Sequence, residues 1–174
     1  MKKGKTIINI SGKSCTGKSS LTRELSSRFD EVYIISYDRI KRQLIGYDRN
    51  KHSSLIKEMT FDFFEIVCSK GFQVIIDGSF FGEEAYNKYL DVAQKYGYRF
   101  VAVHLETPLD DLLPRFRERI ERCRAKDIKI SVMDEGLFIK NQSIDYFTHA
   151  DARIFNTTKL KSDEIADQVM ELIK

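Results

Sequence analysis

The sequence predicts an α/β fold in which helices flank a five-stranded, mostly parallel sheet. Short β-branched runs alternate with longer helical stretches along the chain, the order that builds strand–helix–strand units. The apolar cores of two runs, Val74-Ile75-Ile76 and Val101-Ala102-Val103, are continuous rather than alternating, as in strands covered on both faces. A glycine-rich segment at positions 12–19 joins the first run to the first helical stretch.

Taken in order, strands are expected at residues 6–10, 32–36, 73–77, 99–105 and 152–155. Helices are expected at 18–29, 39–46, 55–71, 83–97, 109–125, 134–147 and 163–173. Gly71 and Gly97 each follow a helical run and precede a strand, where a left-handed residue ends a helix. Thr107-Pro108-Leu109-Asp110 places a cap residue before proline at the first helical position, with an acid in the first turn. Pro114 lies inside the helical pattern and predicts a kink or break near Leu113. Residues 127–132 read as a mobile loop. No repeat, linker or low-complexity stretch divides the chain, so residues 1–174 read as one domain.

Composition narrows the class. A length of 174 residues is enough for a core without disulfides or a structural metal. The formal charge of +3 suits an anionic small ligand and falls short of a nucleic-acid-binding stripe. Cys15, Cys68 and Cys123 form no CxxC pair, and His52, His104 and His149 stand at no metal-site spacing from them, so reduced thiols and a cytoplasmic location are expected. The apolar stretch after the basic N-terminus is too short for a signal peptide, and no segment has the length of a membrane span.

The segment Gly12-Lys13-Ser14-Cys15-Thr16-Gly17-Lys18-Ser19 matches GxxxxGK[ST] in full. Its place between a strand and a helix is the context that such a phosphate loop requires. The glycines let successive N–H groups face inward around phosphate oxygens, and the helix adds its free N–H groups and positive dipole end. Lys18 is expected to contact the β- and γ-phosphates, and the Ser19 hydroxyl to coordinate Mg²⁺. The candidate nucleotide-binding set is Gly12, Lys13, Ser14, Cys15, Thr16, Gly17, Lys18, Ser19 and Ser20, although Ser20, like Thr22, also suits an ordinary helix position. Cys15 reads either as a small loop residue or as a thiol activated by the helix N-terminus.

Three further features bear on chemistry. Asp77 ends an apolar strand, where it can hold the magnesium shell or cap the next helix. Asp38 follows the second strand and can accept the proton of a substrate hydroxyl, cap the following helix, or do both. Lys41 and Arg42, one turn on, are candidate acceptor-binding cations or surface charges. In Leu113–Arg124 the residues Arg115, Arg119 and Arg122 share a helical face, and Glu118 is placed to pair with Arg122. The cluster reads as a lid that neutralises charge on a transferred phosphoryl group or as a solvated helix laced with ion pairs.

Together these residues resemble the small P-loop kinases, a nucleoside-monophosphate-kinase-like group that includes AAA_33 proteins, polynucleotide kinases, zeta-toxin-like kinases and chloramphenicol-phosphotransferase-like enzymes. The resemblance implies ATP and Mg²⁺ as cofactors, with Lys18 and Ser19 on phosphate and metal, Asp38 as general base and Asp77 as second acid. It implies a lid over residues 108–132 carrying Arg115 and Arg119. It also implies that Asn156 and Thr157, after the final strand, lead into a loop touching adenine. Where polynucleotide kinases carry an arginine one turn after the base, this chain has Lys41, which lacks the bidentate phosphate contact, so a nucleic-acid acceptor is disfavoured.

The expected function is transfer of the ATP γ-phosphoryl group to a hydroxyl of a small-molecule, nucleotide or nucleic-acid-end acceptor. The alternative is a non-catalytic ATP-binding regulatory module. A regulatory GTPase would need NKxD and DxxG, which Asn156-Thr157-Thr158-Lys159 and Asp77-Gly78-Ser79-Phe80 do not supply. Aromatic residues at 44–64 and 80–89 could stack on an acceptor ring, whereas the spacing of Phe61, Phe64 and Val67 predicts core.

Overall fold

The computed structural model describes residues 4–80, 82–128, 130 and 132–174. Among them, five strands form one sheet: β1 (Thr6–Gly12), β2 (Val32–Ile35), β3 (Gln73–Asp77), β4 (Arg99–Glu106) and β5 (Arg153–Asn156). The order is β2-β3-β1-β4-β5, with every strand pairing parallel. The helices are α1 (Lys18–Ser26), α2 (Tyr37–Gln43), α3 (Arg49–Ser69), α4 (Glu83–Lys95), α5 (Leu109–Ala125), α6 (Glu135–Asn141) and α7 (Ser162–Leu172).

The continuous apolar strands are covered on both faces, because alternate side chains point to opposite sides of the sheet. Val74 and Ile76 join Ile7 and Ile35 against Phe64 and Val67 of α3 and Val92 of α4. Ile75 joins Ile8, Ile10, Val103 and Leu105 against Leu21 and Leu25 of α1 and Ile165 and Val169 of α7. Phe64 and Val67 are buried, and Phe61 packs partly buried beside them. Tyr86, Tyr89 and Phe80 likewise belong to this packing and to its ring contacts rather than to an open stacking surface. Phe81 of the same aromatic segment lies outside the described residues.

The register sets the functional edge. Ile10 stands beside Asp77 and Gly12 beside Leu105, so β1 delivers the phosphate loop between the ends of β3 and β4. The connection after β1 runs toward β2, whereas those after β3 and β4 run toward β4 and β5, and such a reversal is the point at which open parallel sheets bind ligands.

Several local expectations shift. Helix α5 runs unbroken through Pro114. The proline removes only the donor for the Asp110 carbonyl, one turn from the helix start, while Leu112, Phe116 and Ile120 hold the helix by packing. Helix α5 has the expected bounds, but Pro108 rather than Thr107 is its cap. Helix α3 begins six residues earlier than expected, because the Asp48 carboxylate accepts from the N–H groups of Asn50 and Lys51 and supplies the cap. Helix α6 stops at Asn141, well short of 147, because Phe147 pairs instead with Phe80 in an isolated antiparallel bridge. Gly71 and Gly97 have the expected positive φ, 83° and 71°. Positions 129 and 131 of the expected mobile loop lie outside the described residues.

Helices α5 and α6 form a separate small core. Phe138, 1% exposed, stacks on Phe116 at 4.1 Å between centroids, and Arg117 makes a two-pronged ion pair with Glu135. Cys15 of the phosphate loop packs against this cluster. Phe138→Ala is expected to cost about 3–5 kcal/mol of this packing. Amide hydrogen exchange across α5 and α6 would then rise above that of the sheet, which keeps its own two cores.

Candidate active site

The phosphate loop is built by backbone that only its own residues permit. Gly12 has φ +138°, and a Cβ there would stand 2.5 Å from the Leu105 carbonyl oxygen and 2.9 Å from Thr16 Oγ1. Gly17 caps α1 at φ 98°, and Cys15 adopts φ 67°. Gly12→Ala is therefore expected to lower stability by at least about 1–3 kcal/mol, visible as a lower melting midpoint, and to distort nucleotide binding.

Lys18 is partly buried, and its ammonium folds back on the loop. Nζ donates to the carbonyls of Gly12 and Lys13, each at 2.7 Å. Burial pushes its pKa below the ordinary lysine range, with Asp77 opposing. Lys13 Nζ donates to the Gln142 carbonyl at the end of α6, and Arg119 Nη1 lies 4.0 Å from Cys15 Sγ. The loop is thereby tied to α5 and to the residue that follows α6.

Ser19 begins the exposed side of α1, and its Oγ donates to Asp77 Oδ2 at 3.4 Å. Burial raises the Asp77 carboxyl above its ordinary range, while Lys18, Arg39 and the Ser19 bond oppose that and Asp38 reinforces it. A hydroxyl and a carboxylate at the loop mouth fit Mg²⁺, which takes few protein ligands and keeps phosphates and waters. Among the described residues no group of three or more His, Cys, Asp or Glu side chains forms a protein-only metal cage.

Asp38 lies in the first turn of α2. Its Oδ1 accepts from Lys41 Nζ at 2.6 Å, and Lys41 also stands over the rings of Tyr37 and Tyr47. The Tyr37 and Tyr47 hydroxyls meet at 2.8 Å. Burial raises the Tyr146 phenol, which lies within the fields of Arg49 and Asp38. Of the two cations read as acceptor-binding, Lys41 is thus turned to Asp38, while Arg42 is exposed.

The two α5 arginines expected in a lid separate. Arg119 approaches the loop at Cys15, whereas Arg115 donates from Nη1 and Nη2 to the hydroxyl and carbonyl of Thr157, both at 2.8 Å. Arg115 therefore clamps the loop after β5 to α5. Asn156 Oδ1 accepts from the Thr158 N–H and hydroxyl. Arg122 pairs with Glu118 at 3.8 Å on the exposed surface. Ser14 and Ser20 are exposed at the loop, and Thr16 is buried within it.

Sequence reasoning overlooks several neighbours. The Ser79 hydroxyl accepts from the Gly12 N–H at 3.0 Å and donates to the Gly12 carbonyl at 3.1 Å. Asn9 Nδ2 donates to the Gly78 carbonyl. His104 Nδ1 meets Ser11 Oγ at 2.9 Å beside a cavity of about 520 Å³ that Lys13, Thr16, Glu106 and Tyr146 also line. Burial pushes His104 below the ordinary histidine range. The hydroxyl residue two places after the strand-ending acid is a usable signal for Ser79; His104 has none.

The fold recurs among solved structures. A candidate kinase from Chloroflexus aurantiacus is 15% identical with a TM-score of 0.76, the alignment covering 99% of this chain and 98% of that one. The APS kinase CysC of Mycobacterium tuberculosis, solved with AMPPNP and APS, is 18% identical with a TM-score of 0.67 and 98% coverage of both chains. The tunicamycin resistance protein of Deinococcus radiodurans is 14% identical with a TM-score of 0.57, covering 97% and 95%. No curated protein matches significantly in sequence. The family model AAA_33, described as an AAA domain, matches residues 7–137, from the first strand through the phosphate loop, Asp38, Asp77 and the arginines of α5. With most of its length matched and the P-loop kinase fold around it, the chain belongs to this AAA-domain family.

Proposed function

We propose that the protein is an ATP-dependent kinase that transfers the γ-phosphoryl group to an acceptor hydroxyl, with residues 1–174 acting as one cytoplasmic domain. The observation that carries this reading is the convergence of Lys18, Ser19 and Asp77 at one edge of the sheet, within the electrostatic reach of Asp38. The kinases among its structural neighbours support the same reading.

Phosphoryl transfer requires positioning and charge stabilisation more than covalent chemistry from the protein. The loop N–H groups from Lys13 to Ser19 hold the phosphates, and the Lys18 ammonium, braced by the Gly12 and Lys13 carbonyls, contacts the β- and γ-oxygens. Mg²⁺, when bound by Ser19 with Asp77 in its shell, neutralises charge on those oxygens. Lys41 holds Asp38 Oδ1, which leaves Oδ2 to accept the hydroxyl proton of the acceptor. Arg119 is the lid arginine at the phosphate loop, and Arg115 fixes the loop of Thr157, which faces adenine. Tyr37, Tyr47, Tyr146 and Arg49 surround Asp38 on the acceptor side, and they favour a small ring-bearing or polar acceptor.

The test is transfer from γ-labelled ATP with Mg²⁺ to 5′-hydroxyl RNA and DNA, nucleosides, nucleotide sugars and aminoglycoside- or phenicol-type antibiotics. Label in one acceptor, lost with Asp38→Asn, is the expected result. ATP binding without transfer to any acceptor would favour a non-catalytic nucleotide-binding module.

A further inference from the structure

At the end of the sheet opposite the phosphate loop, β4 has a neighbour on one side only. β1 runs beside it from Arg99 onward, whereas β5 joins it at Val103, opposite Arg153. The Arg99 N–H donates to the Lys5 carbonyl on the β1 side, and the Glu106 carbonyl accepts from the Thr157 N–H on the β5 side. Backbone groups alternate in direction along a strand, so the N–H and C=O of Phe100 and the N–H of Ala102 point away from β1, ahead of the first residue of β5. No turn or loop among the described residues bonds them.

A cavity of about 440 Å³ follows this free edge and is lined from both faces of the sheet. On the face of Val101 and Val103 stand Arg99, Arg153 and Leu172 of α7. Neither guanidinium has a hydrogen-bond or ion-pair partner among the described residues. On the face of Phe100 stand Tyr86 and Leu90 of α4. There His149 stacks on Tyr86 at 5.1 Å between centroids and lies 3.8 Å from Asp151.

We infer that the free half of β4 is a docking edge for an extended acidic segment of a partner protein, which adds to the sheet as one further strand. Strand addition takes its affinity from main-chain hydrogen bonds and its specificity from alternate side chains. Successive side chains of the added strand point to opposite faces, so every second one meets Arg99 and Arg153 and the others meet Tyr86, Leu90 and Phe100. Charge complementarity selects the occupant: acidic side chains answer the two arginines on one face, and apolar ones suit the face that already holds Asp151. The four residues of β4 from Arg99 to Ala102 span about 13 Å, so the segment that docks is short. The site is separate from the nucleotide reading and does not rest on it.

The experiment titrates the full chain with labelled hexapeptides, blocked at both ends, and follows binding by fluorescence anisotropy. The alternating acidic peptide Glu-Val-Glu-Val-Glu-Val is expected to bind at least about tenfold more tightly than its isomer Glu-Glu-Glu-Val-Val-Val or the basic Lys-Val-Lys-Val-Lys-Val. Arg99→Ser and Arg153→Ser are each expected to weaken the alternating acidic peptide about fivefold. In its saturated complex, exchange of the Phe100 and Ala102 amides is expected to slow at least about tenfold. Equal binding of the two acidic isomers would reduce the arginines to a diffuse attraction for negative charge and overturns the inference. Unchanged exchange at Phe100 and Ala102 overturns it as well, as does the absence of binding by any peptide. If either arginine variant does not fold, the lysine peptide on the wild type carries the charge test, and affinity equal to that of the alternating acidic peptide overturns the inference.

Discussion

Lys18→Ala is expected to weaken Mg-ATP binding by at least about a hundredfold, the equivalent of two charge-assisted hydrogen bonds lost from the phosphates. The same variant should remain folded. Burial disfavours the Lys18 ammonium, and both carbonyls that it contacts retain the hydroxyls of Ser79 and Thr16. A melting midpoint within a few degrees of wild type, together with lost binding, separates a phosphate-contact role from a structural one. Lys18→Arg is expected to bind little better. Its planar fork is larger than an ammonium and does not fit the turn in which one nitrogen meets two carbonyls at 2.7 Å. Undiminished ATP affinity in Lys18→Ala would remove the basis for reading the loop as a nucleotide site.

Asp38→Asn is expected to lower phosphoryl transfer by about 10²–10⁴-fold while ATP affinity stays within about twofold of wild type. The amide keeps the shape and one acceptor oxygen but loses the proton-accepting carboxylate. Its exposed bond to Lys41 is of a kind worth about 1 kcal/mol or less, so the variant is expected to fold normally. Asp38 stands beyond the loop, and its substitution leaves every hydrogen bond within the loop intact. Single-turnover measurement of label transfer, with ATP titration as the parallel reading, tests this separation. Equal activity of Asp38→Asn and wild type would remove Asp38 from the role of general base.

Features governed by short-range chemistry were legible in the sequence. Continuous apolar runs in β3 and β4 announce strands covered on both faces, and Val74, Ile75 and Ile76 divide between the two cores as that pattern requires. Lys18 opens α1 directly after Gly17, because the glycine supplies the left-handed turn into the helix. Helix ends were less legible where a side chain or a distant partner set them. The Asp48 carboxylate caps α3 six residues ahead of the apolar pattern, and packing carries α5 through Pro114.

The sequence by itself determined the parallel α/β class, the phosphate loop and the acids at the ends of two strands, because each follows from backbone geometry and residue type within a few positions. Only the tertiary structure decided what those groups touch. It turned Lys41 onto Asp38, sent Arg115 to Thr157 rather than to the phosphate loop, joined Lys13 to the carbonyl of Gln142, and set the Ser79 hydroxyl on Gly12. Apart from the neighbouring Lys41–Asp38 pair, these contacts join residues far apart in the chain, and they depend on strand register and helix packing, which no local pattern encodes. In the Lys41 pair the spacing allowed the contact, and the rings of Tyr37 and Tyr47 packed beside the ammonium gave it its place.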